Sequence, residues 1–327
     1  MGESVGMGDA TTDTVCVAGQ VFLDVIMSGL AHAPRPGEEQ WVPHCELMPG
    51  GSANQAVACA RLGLPVSLIA YLGLDDAGSM VRARLAGQGI SLADSSEVAR
   101  QSVTASLFFD GDRAMTTFGT AAVPPLTGLP APAALLTDLN ALADNRATVQ
   151  AWRADARART WVLADAGWDD TGRWDPADLE ALDVADAFAP NDAEARLYTR
   201  TEDARAAARA LAEHVADVVV TCGPRGVVAI LDGREWALPA VPVRVVDTTG
   251  AGDTFSAGLT WARAQGLPAR ASLSVASLAA ALTLETPGGS ASAPTLAELA
   301  RWTRERRDDI PEEFDVQFLD RVERTVP

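Results

Sequence analysis

Short apolar runs alternate with helix-patterned segments along most of this chain, and that alternation limits the fold more than any other feature. Val15 to Gly19 (Val-Cys-Val-Ala-Gly) is an apolar run of strand length that ends on glycine. Asn54 to Gly63 has helical spacing, with Gly63 placed to end it and Pro65 to prevent continuation. Val66 to Tyr71 reads as the next strand, and Asp75-Asp76 offers caps for a helix through Gln88, closed by Gly89. Further on, Trp161 to Ala164, Ala185 to Ala189, Asp217 to Thr221 and Val227 to Leu231 read as strands. Thr201 to His214, Phe255 to Gln265 and Ser272 to Leu284 read as helices. This order predicts an α/β fold, a mostly parallel central sheet covered by helices.

Two segments break the rhythm. Gln40 to Leu47 alternates weakly, and Val103 to Phe109, Gly111-Asp112 and Ala114 to Phe118 read as a hairpin. Neither has a helix to cross over with. They predict a small antiparallel β lid, with strands from about 36–49 and 102–120. Val123 to Pro132 is proline-rich and reads as a connection. No linker divides the chain, so residues 14–327 are expected to form one domain. Residues 1–13, polar and glycine-rich, read as a flexible N-terminal tail.

Charge narrows the partners. The net charge is -18 and no basic run interrupts it, which disfavours nucleic acid and anionic membranes. The N-terminus has no apolar signal core, and the apolar stretch near Leu273 to Leu284 is too short to span a bilayer. A cytoplasmic protein is expected. The chain has no lysine at all, which excludes a Gly-Lys-Ser/Thr phosphate loop, a protein-kinase strand lysine and Schiff-base chemistry. Four cysteines without a C-x-x-C pair and three scattered histidines give no metal or redox motif.

The chemistry concentrates near the C-terminus. Asp247-Thr-Thr-Gly-Ala-Gly-Asp253 runs into the helical stretch Thr254-Phe-Ser-Ala-Gly-Leu-Thr260. A glycine-rich turn entering a helix N-terminus makes an anion hole, because the first helical N–H groups lack internal partners and the dipole there is positive. Gly250, Ala251 and Gly252 would form that hole, and any ATP site in so acidic a chain must build its positive field this way or with a metal ion. Read alone, Asp253 is equally a helix N-cap. Transfer of a γ-phosphoryl group to an alcohol needs in-line positioning, stabilised phosphoryl oxygens and a carboxylate that takes the hydroxyl proton. A carboxylate beside an anion hole is a weak base that acts late, as the hydroxyl becomes acidic.

The run Asp247 to Asp253 with its following Thr-Phe-Ser-Ala-Gly resembles the ribokinase-like (PfkB) carbohydrate kinases, over about Val15 to Pro294. The resemblance implies a ribokinase-like three-layer α/β/α fold, and ATP and Mg2+ as cofactors. It implies Asp253 as the catalytic base. Pro49-Gly50-Gly51-Ser52-Ala53-Asn54 is similar to the family's acceptor signature, so Gly50, Gly51 and Asn54, with Asp24 after the first strand, are expected to bind substrate. Read alone, that segment is a loop and an N-cap, and Asp24 an exposed loop acid. Pro190-Asn191-Asp192-Ala193-Glu194 resembles the Asn-x-x-Glu motif, which implies that Asn191 orders phosphates and Glu194 reaches magnesium through water. Read alone it starts a helix with an acidic first turn. Thr221, Gly223 and Gly226, in the loop Thr221-Cys-Gly-Pro-Arg-Gly226, match a nucleotide-contact loop. Arg225 there either adds positive charge or is solvated. Asp247 and Thr249, with Gly288 and Ser292 more loosely, match a monovalent cation site for K+.

The acceptor signature here is Gly-Gly-Ser-Ala-Asn, one residue shorter than the Gly-Gly-Lys-Gly-Ala-Asn of ribokinases, which argues against ribose itself. It carries no cation for a substrate phosphate, so the expected acceptor is a small unphosphorylated sugar or sugar acid, phosphorylated at a primary alcohol. Arg113 in the hairpin would suit an acidic sugar. Trp41 and Phe118 would cover a sugar face or a nucleobase, which keeps a nucleoside kinase of the same family as the alternative. A catalytically silent ligand-binding protein on this fold would have lost Asp253 or its glycines, and both are intact. Homodimerisation through the lid is an arrangement known in the family and is left open.

Overall fold

The computed structural model describes residues 11–109, 112–155, 160–167, 169, 171–286, 288–319 and 322. Residues 1–10 of the expected tail, Gly111 at the hairpin tip and the side chain of Arg113 lie outside them.

The first apolar run folds as strand β1 (Thr11–Ala18), longer at its start than the apolar core of the run indicates. The chain then enters β2 (Val21–Ser28), β3 (His44–Gly51) and helix α1 (Ser52–Arg61). Next come β4 (Val66–Ile69), β5 (Tyr71–Gly73), α2 (Asp76–Ala86), β6 (Ser96–Val98), β7 (Ser102–Phe109) and β8 (Asp112–Phe118). Asp75 caps α2 by accepting from the Gly78 N–H at 3.0 Å, as its position before the helix predicts. The alternation resumes with β9 (Ala131–Asp138), α3 (Leu139–Asp144), α4 (Arg146–Ala154), β10 (Trp161–Asp165), β11 (Ala187–Phe188), α5 (Asp192–Thr199) and α6 (Ala204–Leu211). The chain closes with β12 (Asp217–Thr221), β13 (Val227–Leu231), β14 (Arg234–Leu238), α7 (Ala251–Ala264), α8 (Ala269–Thr283) and α9 (Leu296–Glu305).

The central sheet has the order β14-β13-β12-β11-β10-β9-β1-β4. From β4 to β12 every pairing is parallel, and β13 and β14 add an antiparallel edge. Its strands feed two separate cores. Val15 and Val17 of β1 pack with α1, α7 and α8, while Cys16 and Ala18 pack with α3 and α4 on the opposite face. Leu136 and Leu135 of β9 divide the same way. Alternate residues of one strand serving two apolar layers is the three-layer α/β/α arrangement.

The lid is a second sheet, β3-β2-β7-β8. It differs from expectation in two ways. Residues 36–43 form no strand; pairing begins only at His44, where β3 runs antiparallel to β2 from Ser28↔His44 to Val21↔Gly51. And β2 is itself a lid strand, so Asp24 lies within a strand rather than in a loop. Val21 to Met27 is a continuous apolar run broken only by Asp24, and the glycine after β1 conceals that the chain remains extended. Parallel pairing of β2 with β7 completes the lid. Two further elements run against simple propensity. Strand β9 starts inside the proline-rich stretch, with Pro132 placed where its register to β1 shifts, a position that tolerates a missing N–H. Strand β14 and helices α3, α4 and α9 are not among the elements expected above, although Thr295 and Glu298 form a capping box at the start of α9.

Candidate active site

The carboxyl ends of the parallel strands gather the motifs, which is where open α/β sheets form clefts. Asp138 ends β9, Asp165 ends β10, Asn191 follows β11 and Thr221 ends β12.

Helix α7 packs against α1 and α8. Its N-cap is Gly250, held at φ 74, and no side chain caps it. That left-handed backbone costs a residue with a Cβ about 1–2 kcal/mol. Asp253 is the third residue of the helix and sits in its first turn. The N-cap reading of Asp253 therefore does not hold: glycine occupies that position, and the carboxylate is one turn inside it. The charge of Asp253 reaches across to α1, where burial, and after it Asp253, pushes the Cys59 thiol up to about 12.

The acceptor motif lies on the lid side of α1. Gly50 pairs with Phe22 and Asp24 with Met48 across β2 and β3. A methyl group on Gly50 would overlap the Asp24 carboxylate, so glycine is what lets that carboxylate lie against the β3 backbone. Gly51, at φ 64, turns the chain into α1. Asn54 is 8% exposed, and its Oδ1 is buried with no hydrogen-bond partner. An orphaned buried acceptor costs about 1–3 kcal/mol.

On the phosphate side, Asn191 and Glu194 form a reciprocal capping box. The Asn191 side chain accepts from the Glu194 N–H at 3.0 Å, and Glu194 Oε2 accepts from the Asn191 N–H at 2.9 Å. The helix-start reading is thus geometrically correct, and it also fixes the Glu194 carboxylate at the cleft. Burial, and then the charge of Asp165, pushes Glu194 up to about 7. Asp165 is itself pushed up to about 6 by burial and by Asp138, which faces it across β9 and β10. A cation relieves crowding of this kind, so these acids fit a divalent ion held through water. Thr221 joins the motif directly, donating its N–H to Pro190 O at 3.1 Å, and Gly223 and Gly226 turn the chain behind it. Arg225 is two-thirds exposed and pairs with Asp192 at the start of α5.

The loosely matched segments also converge. Asp247 accepts from the Thr249 N–H at 2.9 Å through Oδ1 and from the Gly288 N–H at 3.2 Å through Oδ2. Ser292 Oγ lies 3.4 Å from Thr283 O, at the end of α8. Trp41 is 89% exposed, and Phe118 is half-exposed with Arg100 stacked on it at 4.8 Å.

Asp138, Asp165 and Gln55 were not singled out by motif. Their signal was positional: an acid directly after a buried apolar run, and a glutamine inside an otherwise apolar helix face.

Comparison with known proteins agrees with this geometry. The pfkB family carbohydrate kinase model matches residues 12–296. A ribokinase of Bacillus subtilis is 29% identical over 303 residues, covering 87% of this chain and 97% of its own. The structure of Arabidopsis thaliana ribokinase complexed with ribose and ATP superposes with a TM-score of 0.73 at 25% identity, covering 88% of this chain and 97% of its own. A ribokinase II from E. coli in complex with ATP and Mg2+ has the same fold, with a TM-score of 0.76 at 20% identity, covering 90% and 99%. The fold is ribokinase-like, and an enzyme of the kinase class is what fold and site define. The chain belongs to the pfkB family of carbohydrate kinases.

Proposed function

We propose that this kinase moves the γ-phosphoryl group of ATP to a primary hydroxyl of a small unphosphorylated sugar or sugar acid, with Asp253 as the base. One observation carries the reading: Asp253 stands in the first turn of a helix with no side-chain cap and its charge reaches α1, the helix that carries the unpartnered Asn54 oxygen. The acceptor hydroxyls donate to Asn54 Oδ1 and to Asp24, with Gly50 and Gly51 letting the sugar approach the backbone. Asp253 takes the proton as the hydroxyl oxygen forms its bond to the γ-phosphorus and the bond to ADP breaks. The amides of Gly250, Ala251 and Gly252 stabilise the negative charge on the moving group.

Asn191, Thr221, Gly223 and Gly226 would hold the nucleotide, and Glu194 would hold its Mg2+. When bound with the nucleotide, magnesium neutralises phosphoryl charge. The Arabidopsis ribokinase, complexed with ribose and ATP, supports ATP as the phosphoryl donor. Asp247, Thr249, Gly288 and Ser292 form a K+ site beside the helix; Asp247 already ties Thr249 to Gly288. The lid sheet ends on β3 and β8, and Met115 and Phe118 on β8 are exposed, which suits pairing with a second copy.

The test is ADP release from ATP against a panel of pentoses, hexoses, keto-sugar acids and nucleosides. Sugar-dependent turnover is expected. Turnover with nucleosides alone, or with none of the panel, overturns the acceptor assignment. Replacing potassium by tetramethylammonium should lower the rate; an unchanged rate removes the cation site.

A further inference from the structure

Gln55 lies next to Asn54 on α1 but is aimed elsewhere. It is 7% exposed, and its Nε2 donates to Asp165 Oδ2 at 3.0 Å, across 110 positions of sequence. The other Asp165 oxygen, Oδ1, accepts from the Ala166 N–H at 2.8 Å. Both oxygens of one carboxylate are thus engaged, one by the central sheet's own chain and one by α1. Asp165 ends β10, which is paired on both sides, to β9 and to β11. It is a fixed point. Helix α1, by contrast, enters from the lid strand β3 through Gly51, and Gly51 is an N-cap without a side chain. No side-chain hydrogen bond caps its first turn among the described residues; the Ser52 N–H donates to Gln20 O at 2.9 Å, and side-chain anchors further in help to set the orientation of the helix.

We propose that the Gln55–Asp165 hydrogen bond is a positioning contact for the acceptor site: it locks the first turns of α1 to the end of β10 and so aims Asn54 Oδ1 at the substrate. This inference rests on the kinase reading for its activity arm, but the anchoring itself does not. A hydrogen bond from a neutral amide to a buried carboxylate is among the stronger single contacts available. Asn54 is adjacent in sequence, about 100° away around the helix. Loss of the anchor should shift the first turns of α1 and with them the Asn54 oxygen, although Ala53, Ala56 and Val57 hold the helix in the core.

The experiment uses the full chain. Gln55→Leu keeps the size and removes the donor. Asp165→Asn keeps a partner, because Gln55 can turn its amide over and accept from the new amide. Hydrogen exchange followed by mass spectrometry on peptides covering 52–61 reads the anchor without any substrate. In Gln55→Leu these amides should exchange about tenfold faster, the equivalent of one lost charge-assisted hydrogen bond, while peptides of α7 do not change. In Asp165→Asn the α1 peptides should stay slow. With the best acceptor from the panel of sugars, Gln55→Leu should raise the acceptor KM about tenfold and leave the KM for ATP unaltered. Unchanged α1 exchange in Gln55→Leu overturns the anchor. Faster exchange with an unchanged acceptor KM overturns its role at the acceptor site. Uniformly faster exchange over α1 and α7 together assigns Gln55 to general stability instead. A wild-type chain that turns over no panel member overturns the acceptor assignment alone, since the exchange result stands apart from it.

Discussion

The two sides of the cleft are built by different means. The proposed phosphate side is mostly backbone, the first turn of α7 behind Gly250 and the turn at Gly223 to Gly226, with the Asn191 and Glu194 side chains tied into a capping box. The acceptor side is made of side chains: Asp24 on a lid strand, and Asn54 and Gln55 on α1. Backbone amides suit a ligand that never changes, because every nucleotide brings the same phosphates. Side chains suit a ligand that differs among relatives, because one substitution retunes them. On this division, changes on the phosphate side should alter kcat and the KM for ATP. Changes on the acceptor side should alter the acceptor KM alone.

The largest effect belongs to the residue between the two sides. Asp253→Asn keeps the shape of the first turn of α7 and removes the proton acceptor, so kcat should fall about 10²–10⁴-fold with Tm little changed. A variant that retains most of its turnover would remove Asp253 from the chemistry. Gly252→Ala should follow. Its added methyl meets no protein atom within 4 Å, and its backbone is not left-handed, so the fold should accept it. A bound phosphoryl group would not. A loss of kcat of roughly 10²-fold with unaltered Tm is expected, as for loss of one oxyanion donor. Near-normal kinetics would mean that no anion approaches the helix there.

Asn54→Leu tests the acceptor side and should separate function from stability. The buried Oδ1 has no hydrogen-bond partner among the described residues, so an apolar side chain of similar size should stabilise the fold by about 1 kcal/mol. The acceptor KM should rise about tenfold for the same reason, since the substrate supplied the missing donor. If Tm falls instead, Asn54 is a structural residue and the division between the two sides loses its best example.

How far the sequence alone reached follows the same division. The phosphate side is written in local motifs, and Asp247 to Asp253 and Pro190 to Glu194 fold as their glycines and caps predict. The strands β12 (Asp217–Thr221) and β13 (Val227–Leu231) match their apolar runs residue for residue: β12 is buried along almost its whole length, and β13 alternates buried and half-buried positions. The acceptor side was only half visible. Asp24 was expected to bind substrate from a loop after the first strand, and its strand β2 is recognisable only once β3 and β7 are seen to flank it. Gln55 and Asp165 meet through tertiary structure across 110 positions, and no spacing rule connects them. Strand β9 was hidden by prolines that its register shift accommodates.

The smallest expected effect is on stability against pH, and it comes from the acids at the junction of the two sides. Burial holds Asp165 up to about 6 and Glu194 up to about 7. The folded chain therefore keeps protons that the unfolded chain releases near the ordinary carboxyl range of about 4. Where the folded state binds more protons, stability falls as pH rises. The contribution of these two acids is complete below that ordinary range and is lost as pH climbs through about 6 and then about 7. Asp75 and Glu298, held low by hydrogen bonds from backbone N–H groups, act with the opposite sign and at more acid pH, so they leave this window untouched. Asp165→Asn removes one titrating acid and the like charge beside Glu194. Between pH 5 and 8 the Tm of the unaltered chain should drop more than that of the variant, by a difference of about 2 °C, in the absence of nucleotide and divalent ions. Parallel Tm curves would mean that Asp165 stays charged in the folded chain, and that the acids at this junction do not crowd one another.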